Sequence, residues 1–334
     1  MIEQRKRTAA SQERTGVSQE RTGVSQERTA TSQEVRAASQ RADIAIRPLA
    51  PALAAEVNCR NLSLLGADER ARIKQAWHDH LVLVFPGQHL TDAEQISITG
   101  IFGEFEEAVL HEAKGKHHGV VLISNQPDGM LGAGELRWHS DHSFHEFPAS
   151  ASLLQAMEIP AVGGDTYFNN MYLALATLPA HLRARVTGLT IKNDGSLDSS
   201  GAYRGTPVTD LLAYKGPSHP IVRTHPVTGY NALYLGRRPN AYVNGLSIPE
   251  SEALLNELWA HVTQPQFEYR HQWRVGDLVV WDNRAVMHRR DAFDETQRRI
   301  MHRTQCAGEK PIFREDGEAR GLHPRATARR DAAH

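Results

Sequence analysis

A mainly β fold with flanking helices is predicted by three features of the sequence. Its helix signals are concentrated early, short apolar runs follow one another from Val120 onward, and two motifs with metal-ligand chemistry stand so far apart that only separate strands can bring them together. A closed or sandwiched β fold meets all three requirements.

The first residues repeat a seven-residue unit, Ser11-Gln12-Glu13-Arg14-Thr15-Gly16-Val17 and then Ser18 to Val24, followed by degraded copies over Ser25–Thr31 and Ser32–Ala38. Seven is the coiled-coil period. Each unit, however, offers at most one small apolar residue and two carry Gly, so there is no seam to bury. Residues 1–43 are expected to be a disordered tail, of the kind an over-extended start would add.

Folded structure is expected from Ile44. A helix is predicted over Asp68–Leu81, then a strand Leu81–Phe85 closed by the Pro86-Gly87 turn. Thr91 and Glu94 form a capping box that opens a second helix toward Phe102. Strands follow at Val120–Ser124, Ser152–Met157, Thr166–Asn169, Ile221–Thr224, Ala232–Leu235, Phe267–Trp273, Leu278–Trp281 and Arg298–Gln305. One helix interrupts them: Ser247 and Glu250 cap it, Pro249 sits in its first turn, and Leu254, Leu258 and Val262 share one face. Residues 313–334, with Arg314, Arg320, Arg325, Arg329 and Arg330 among small polar residues, are expected to be a flexible basic tail.

Bulk composition narrows the function classes. With 334 residues, 40% of them hydrophobic, the chain can bury a real core. A formal net charge of −1 gives no electrostatic footprint for nucleic acid or an anionic membrane surface. A small-molecule partner is expected, with homo-oligomeric assembly. Two cysteines, Cys59 and Cys306, form no paired framework and no Cys-x-x-Cys, and no apolar stretch has the length of a membrane span. A cytoplasmic location follows as the expectation.

The most informative chemistry lies in His139 and Asp141, within Arg137-Trp138-His139-Ser140-Asp141, and in His288 far downstream. Residues i and i+2 of an extended strand point to one face, so His139 and Asp141 can reach one ion while Ser140 turns away. The third ligand has to come from another strand. Two imidazoles and a carboxylate are the facial-triad set that grips iron(II) and leaves other coordination positions open. A chance His-x-Asp is the competing reading in a chain with 18 histidines, among them the neighbouring His117, His118, His142 and His145. Only His139 has both a carboxylate two residues on and a Trp just before it.

Four stretches together resemble a known family: Trp138 to Phe144; Pro160-Ala161-Val162-Gly163-Gly164-Asp165-Thr166; Gly276 to Arg284 with His288; and Arg298 to Arg303. In order and spacing they are similar to the taurine and 2,4-dichlorophenoxyacetate dioxygenases. These are iron(II)- and 2-oxoglutarate-dependent enzymes built on a double-stranded β-helix, or jelly roll. The resemblance spans about Ile44 to Lys310 and marks 44–312 as the dioxygenase domain.

The resemblance implies that His139, Asp141 and His288 hold the iron, with 2-oxoglutarate and oxygen as cosubstrates. Arg299, eleven residues beyond His288, matches the family's arginine for the far carboxylate of 2-oxoglutarate, and Thr166 matches the hydroxyl that supports the same end. Arg303 shares a strand face with Arg299 and matches the arginine that holds an acidic group on the primary substrate. The implied reaction hydroxylates a small anionic substrate, a carboxylate such as an aryloxyalkanoate, and yields succinate and carbon dioxide; an ether at the hydroxylated carbon would then be cleaved. The Gly163-Gly164 turn and the Trp281-Asp282-Asn283-Arg284 turn read as scaffold. Asp141 argues against a halogenase, in which a small residue replaces the carboxylate.

The stretch Tyr269–Asp277 and Arg289 look closer to the phenoxyalkanoate branch. Glu106, Glu107, Ala108 and His111 stand where taurine enzymes place a His and a Tyr. A sulfonate or alkyl sulfate dioxygenase of the same family is the alternative. More distant readings are a zinc-dependent hydrolase on a jelly-roll fold and a non-catalytic metal-binding barrel, neither of which needs Arg299 and Thr166 at that spacing.

Overall fold

The computed structural model describes residues 44–106, 116–117, 119–203, 210–213, 216–319 and 321–327. The heptapeptide segment, Glu107, Ala108, His111 and His118 lie outside the described residues.

Two sheets make a jelly roll. The larger runs in the order Ala45–Pro48, Ala55–Asn58, Val82–Phe85, Leu278–Asp282, Ala151–Glu158, Ile300–Cys306, Val120–Ser124 and Lys116–His117, with Met130–Leu131 beside Val120–Ser124. The smaller runs Glu268–His271, Thr166–Asn170, Val286–Arg290 and Leu136–His139, all antiparallel. Strands distant in sequence alternate in both sheets.

Period-two alternation divides the larger sheet into a site face and an outer face. In register across three strands, Val84 pairs Val279 and Val279 pairs Leu154, while Val82 pairs Trp281 and Trp281 pairs Ser152. The next strand continues these rows with Arg303 opposite Leu154 and Gln305 opposite Ser152. The alternate residues, Leu83, Phe85, Leu153, Leu278 and Val280, pack with Ile73, Trp77 and Ile98 from the covering helices. Each such fully buried side chain contributes roughly 1.5–3 kcal/mol.

The expected early helices are present at Ala67–His80 and Asp92–Thr99. Glu69 accepts from the Gly66 backbone, and Thr91 and Glu94 cap the second helix reciprocally. The late helix covers Ile248–Val262 and buries Leu254, Leu255, Leu258 and Val262. Two further helices, Met171–Ala176 and Ala180–Val186, also interrupt the strands, where one was expected. Every residue from Met171 to Leu175 is buried, so no polar face marks a helical period. The run Phe267–Trp273 is shorter as a strand than expected. Pro265–Phe267 forms a 3-10 turn, the strand is Glu268–His271, and Trp273 bends inward.

The described part of the segment after residue 312, expected from the sequence to be a flexible basic tail, is partly regular. It forms the short helices Asp316–Ala319 and Pro324–Thr327. His323 is buried, stacks on Tyr172 with ring centroids 4.4 Å apart, and makes a 3.2 Å hydrogen bond through Nε2 to the His78 carbonyl. A buried aromatic contact holds this stretch despite its polar composition.

Candidate active site

His139 ends the Leu136–His139 strand and lies directly opposite His288 on Val286–Arg290. Their ring centroids are 4.2 Å apart. The strand stops there, so Asp141 belongs to a turn and not to the extended strand the sequence suggested. Ser140 does face away, its hydroxyl donating to the Val286 carbonyl at 3.3 Å. The turn brings Asp141 Oδ1 to 3.6 Å from His139 Nε2 and 3.8 Å from His288 Nε2. All three residues are buried, with ligand atoms within 4.8 Å of one another. First-row metal bonds of about 2.0–2.2 Å can bridge such pairs.

Neighbours orient the ligand atoms. His139 Nδ1–H donates to the Arg137 carbonyl at 2.7 Å, which leaves Nε2 bare. Ser152 Oγ donates to Asp141 Oδ2 at 2.8 Å, and Ser152 Oγ in turn accepts from Asn283 Nδ2 at 2.8 Å and Gln305 Nε2 at 3.0 Å. Asn283 also accepts from the Trp281 indole. Burial alone would raise the Asp141 pKa, but His288, the His139 hydrogen bond and the Arg303 guanidinium hold its carboxyl well below the usual range. Burial, then the neighbouring His139, pushes His288 down to about 3, so its imidazole is neutral and able to ligate.

A cavity of about 510 Å³ opens beside the three residues and is lined also by Thr166, Arg299 and Arg303. The Arg299 side chain is fully buried, and none of its three guanidinium nitrogens has a hydrogen-bond partner among the described residues. Burial and the nearby Arg290 lower its pKa to about 9. A buried cation without a partner is costly, and a carboxylate would complete it with parallel hydrogen bonds. Thr166 Oγ1 accepts from Trp273 Nε1 at 3.0 Å and keeps its own proton to donate. These donors fit the far end of a dicarboxylate, as the ligand trio fits a first-row metal.

Gly164 makes room for Arg299. Its φ is +69°, and a Cβ there would stand 3.1 Å from Arg299 Cδ and Nε. Arg303 faces the cavity from the Ile300–Cys306 strand, with one nitrogen 3.7 Å from Asp141 Oδ1. Every residue singled out in the sequence for the site therefore borders this one cavity. Ser152, Gln305, Arg237 and Arg290 were not singled out. Ser152 and Gln305 carry a signal only in register with Asp141, while the two arginines also line the cavity.

A second buried trio, His78, His225 and Asp282, stands behind the Trp281–Arg284 turn. Arg284 forks onto Asp282 with two 2.8 Å bonds. His225 Nδ1 accepts from the Val227 and Thr228 amides, so its Nε2–H donates to Asp282 at 3.0 Å. Asp282 and His225 are thus committed to hydrogen bonds and brace the turn, while both ring nitrogens of His78 are without a hydrogen-bond partner among the described residues.

Known proteins resemble this chain in sequence and in fold. The family model described as taurine catabolism dioxygenase TauD, TfdA family, matches residues 45–305. The chain is 34% identical to the (S)-phenoxypropionate/alpha-ketoglutarate-dioxygenase of Sphingobium herbicidovorans over 79% of its own length and 95% of the relative's. It is 35% identical to the alpha-ketoglutarate-dependent 2,4-dichlorophenoxyacetate dioxygenase of Cupriavidus pinatubonensis over 78% and 96%. It is 33% identical to the alpha-ketoglutarate-dependent sulfate ester dioxygenase of Pseudomonas putida over 81% and 91%. Among solved structures, AAD-2 in complex with Mn(II) and N-oxalylglycine superposes with a TM-score of 0.69 at 33% identity, covering 81% of this chain and all of the other. A taurine dioxygenase from Burkholderia xenovorans gives 0.66 at 33%, covering 82% and 94%. The chain belongs to the taurine catabolism dioxygenase TauD, TfdA family.

Proposed function

We propose that this iron(II)- and 2-oxoglutarate-dependent dioxygenase hydroxylates a small anionic carboxylate such as an aryloxyalkanoate, with ether cleavage where the hydroxylated carbon bears an ether oxygen. Residues 44–312 form the catalytic domain in this reading. His139, Asp141 and His288 hold the iron, Thr166 and Arg299 bind the far carboxylate of 2-oxoglutarate, and Arg303 receives the acidic group of the substrate. The observation that carries the assignment is the buried Arg299 guanidinium, whose donors find no partner among the described residues. A zinc hydrolase or a non-catalytic barrel has no use for it.

Once bound, the iron supplies activation of oxygen at the expense of 2-oxoglutarate, which leaves as succinate and carbon dioxide. The protein supplies position and exclusion of water. Ser152 holds Asp141 Oδ2 and so leaves Oδ1 toward the His139 and His288 imidazoles, where it would ligate the iron, and the Arg137 carbonyl keeps His139 in the tautomer that can ligate. Ile123, Met130, Leu131, Leu136, Phe144 and Leu154 give the cavity an apolar wall suited to an aryl ring. The likeness to phenoxyalkanoate dioxygenases supports that choice. Sulfate esters are the second reading, supported by the Pseudomonas putida relative.

Among the described residues no helix is long and apolar enough to cross a membrane. A cytoplasmic location is part of the same proposal, supported by the free cysteines Cys59 and Cys306; homo-oligomeric assembly belongs to it as an expectation. The test is a screen of aryloxyalkanoates, alkyl sulfates and alkylsulfonates with iron(II) and 2-oxoglutarate. Succinate should form in step with loss of an aryloxyalkanoate. Stronger turnover of an alkyl sulfate would select the second reading, and no stimulation by any of the three would overturn both.

A further inference from the structure

A second buried arginine stands at the dicarboxylate end of the cavity. Arg290 lies two residues beyond His288 and opposite Thr166 in the neighbouring strand, so both cavity-facing rows meet at its position. It is 3% exposed. No carboxylate lies within ion-pair distance of it among the described residues. Its NH2 group instead donates to three carbonyls of one turn: Leu131 at 3.2 Å, Gly132 at 3.0 Å, and Gly134. The Phe293 amide adds a bond to the Ala133 carbonyl at 3.2 Å.

That turn needs holding. Leu131 has φ +73°, a left-handed conformation unfavourable for a leucine, and Gly132 follows at +44°. Met130 and Leu131 line the cavity, so the turn is part of its wall. The cation that grips it shares the Phe293 ring with the Arg299 guanidinium, their central carbons lying 5.2 and 6.0 Å from the ring centroid, and two buried like charges repel strongly where solvent is excluded. With Arg299 uncompensated, the grip of Arg290 works against this repulsion. A carboxylate on Arg299 would remove it.

We propose that Arg290 is a positioning residue that couples the two parts of the cavity: its guanidinium holds the Leu131–Gly134 wall, and occupancy of Arg299 by a dicarboxylate tightens that hold. The second half rests on the reading of Arg299 given above, while the first half does not.

Hydrogen exchange over residues 128–136, measured on the full chain, separates the two. Without ligand, Arg290→Gln should exchange in this segment about tenfold faster than the parent protein, and Arg290→Lys, which keeps donors for the carbonyls, should recover part of the protection. Adding manganese(II) with 2-oxoglutarate should slow exchange there severalfold in the parent and leave Arg290→Gln unchanged, with 2-oxoglutarate binding followed calorimetrically in the same samples. Far-ultraviolet circular dichroism identifies a variant that has not folded, in which case Arg290→Lys alone carries the comparison through a smaller change of the same sign. Equal protection in parent and variants would overturn the wall-holding role. Binding of 2-oxoglutarate without added protection would overturn the coupling alone. Absence of 2-oxoglutarate binding to the parent would overturn the assignment of Arg299, and the coupling with it.

Discussion

Ser152 Oγ donates to Asp141 Oδ2 at 2.8 Å, so one carboxylate oxygen is held by the protein while the other faces both imidazoles. Asn283 and Gln305 fix the serine in turn. Removing the hydroxyl leaves Asp141 Oδ2 with the longer 3.4 Å bond from Gln305 Nε2 and leaves Asn283 Nδ2 without its acceptor. Ser152→Ala should weaken metal binding about 10- to 100-fold with little change in the fold. Calorimetric titration with manganese(II) checks this, and an unchanged affinity would show that the support is dispensable.

Arg299 and Arg303 should separate on substitution. Arg299→Met removes a buried cation whose donors are unpartnered, so the ligand-free protein should become more stable by about 1–3 kcal/mol while 2-oxoglutarate no longer raises its melting temperature. Arg303→Ala should leave 2-oxoglutarate stabilisation in place and raise the KM of the anionic substrate about tenfold or more. Thermal unfolding with and without manganese(II) and 2-oxoglutarate reads the first pair, and steady-state kinetics the second. Equal effects of both substitutions on both ligands would merge the two roles.

Gly164→Ala tests the space reserved for Arg299. The left-handed backbone at +69° costs a β-carbon about 1–2 kcal/mol, and the new methyl would meet the Arg299 stem at 3.1 Å. Both a lower melting temperature and weaker 2-oxoglutarate binding are expected. A loss of stability with binding intact would make Gly164 a turn residue only.

Buried histidines set the acid side of the stability curve. Burial lowers His225 and His323 from 6.5 to about 4. Between pH 6.5 and 4 the unfolded chain therefore binds protons that the folded one does not, and stability falls as pH drops through that window, by on the order of 2 kcal/mol for each group. His323→Phe keeps a ring on Tyr172 but cannot titrate, so its melting temperature should fall less steeply between pH 6.5 and 4. An unchanged slope would mean that the segment after residue 312 is not docked in solution.

Much of this architecture was legible in the sequence because it depends on local signals. The capping pairs Thr91/Glu94 and Ser247/Glu250 mark helix starts wherever they occur, and the apolar runs at Val82 and Leu278 are short and bounded by turns. His139, Asp141 and His288 stand out because their residue types and spacing are rare together. Ser152 and Gln305 could not be found this way, since a serine and a glutamine acquire meaning only when strand register sets them beside Asp141. Met171–Ala176 gave no helical period because it is buried all round, and the last helices were hidden because single residues scattered in a polar stretch hold them: His323 on Tyr172, Arg325 on the Asp79 carbonyl and Ala326 in the core. Arg290 reads as an ordinary strand arginine until the turn it holds is seen.

In the proposed centre His139, Asp141 and His288 would hold one ferrous ion, with 2-oxoglutarate beside it directed by Arg299. Anaerobic addition of iron(II) and 2-oxoglutarate to the purified protein tests this most directly. A broad visible charge-transfer absorption should develop only when both are present, and Arg299→Met should shift its appearance to much higher 2-oxoglutarate concentrations. A protein that binds both and stays colourless would contradict the proposed centre.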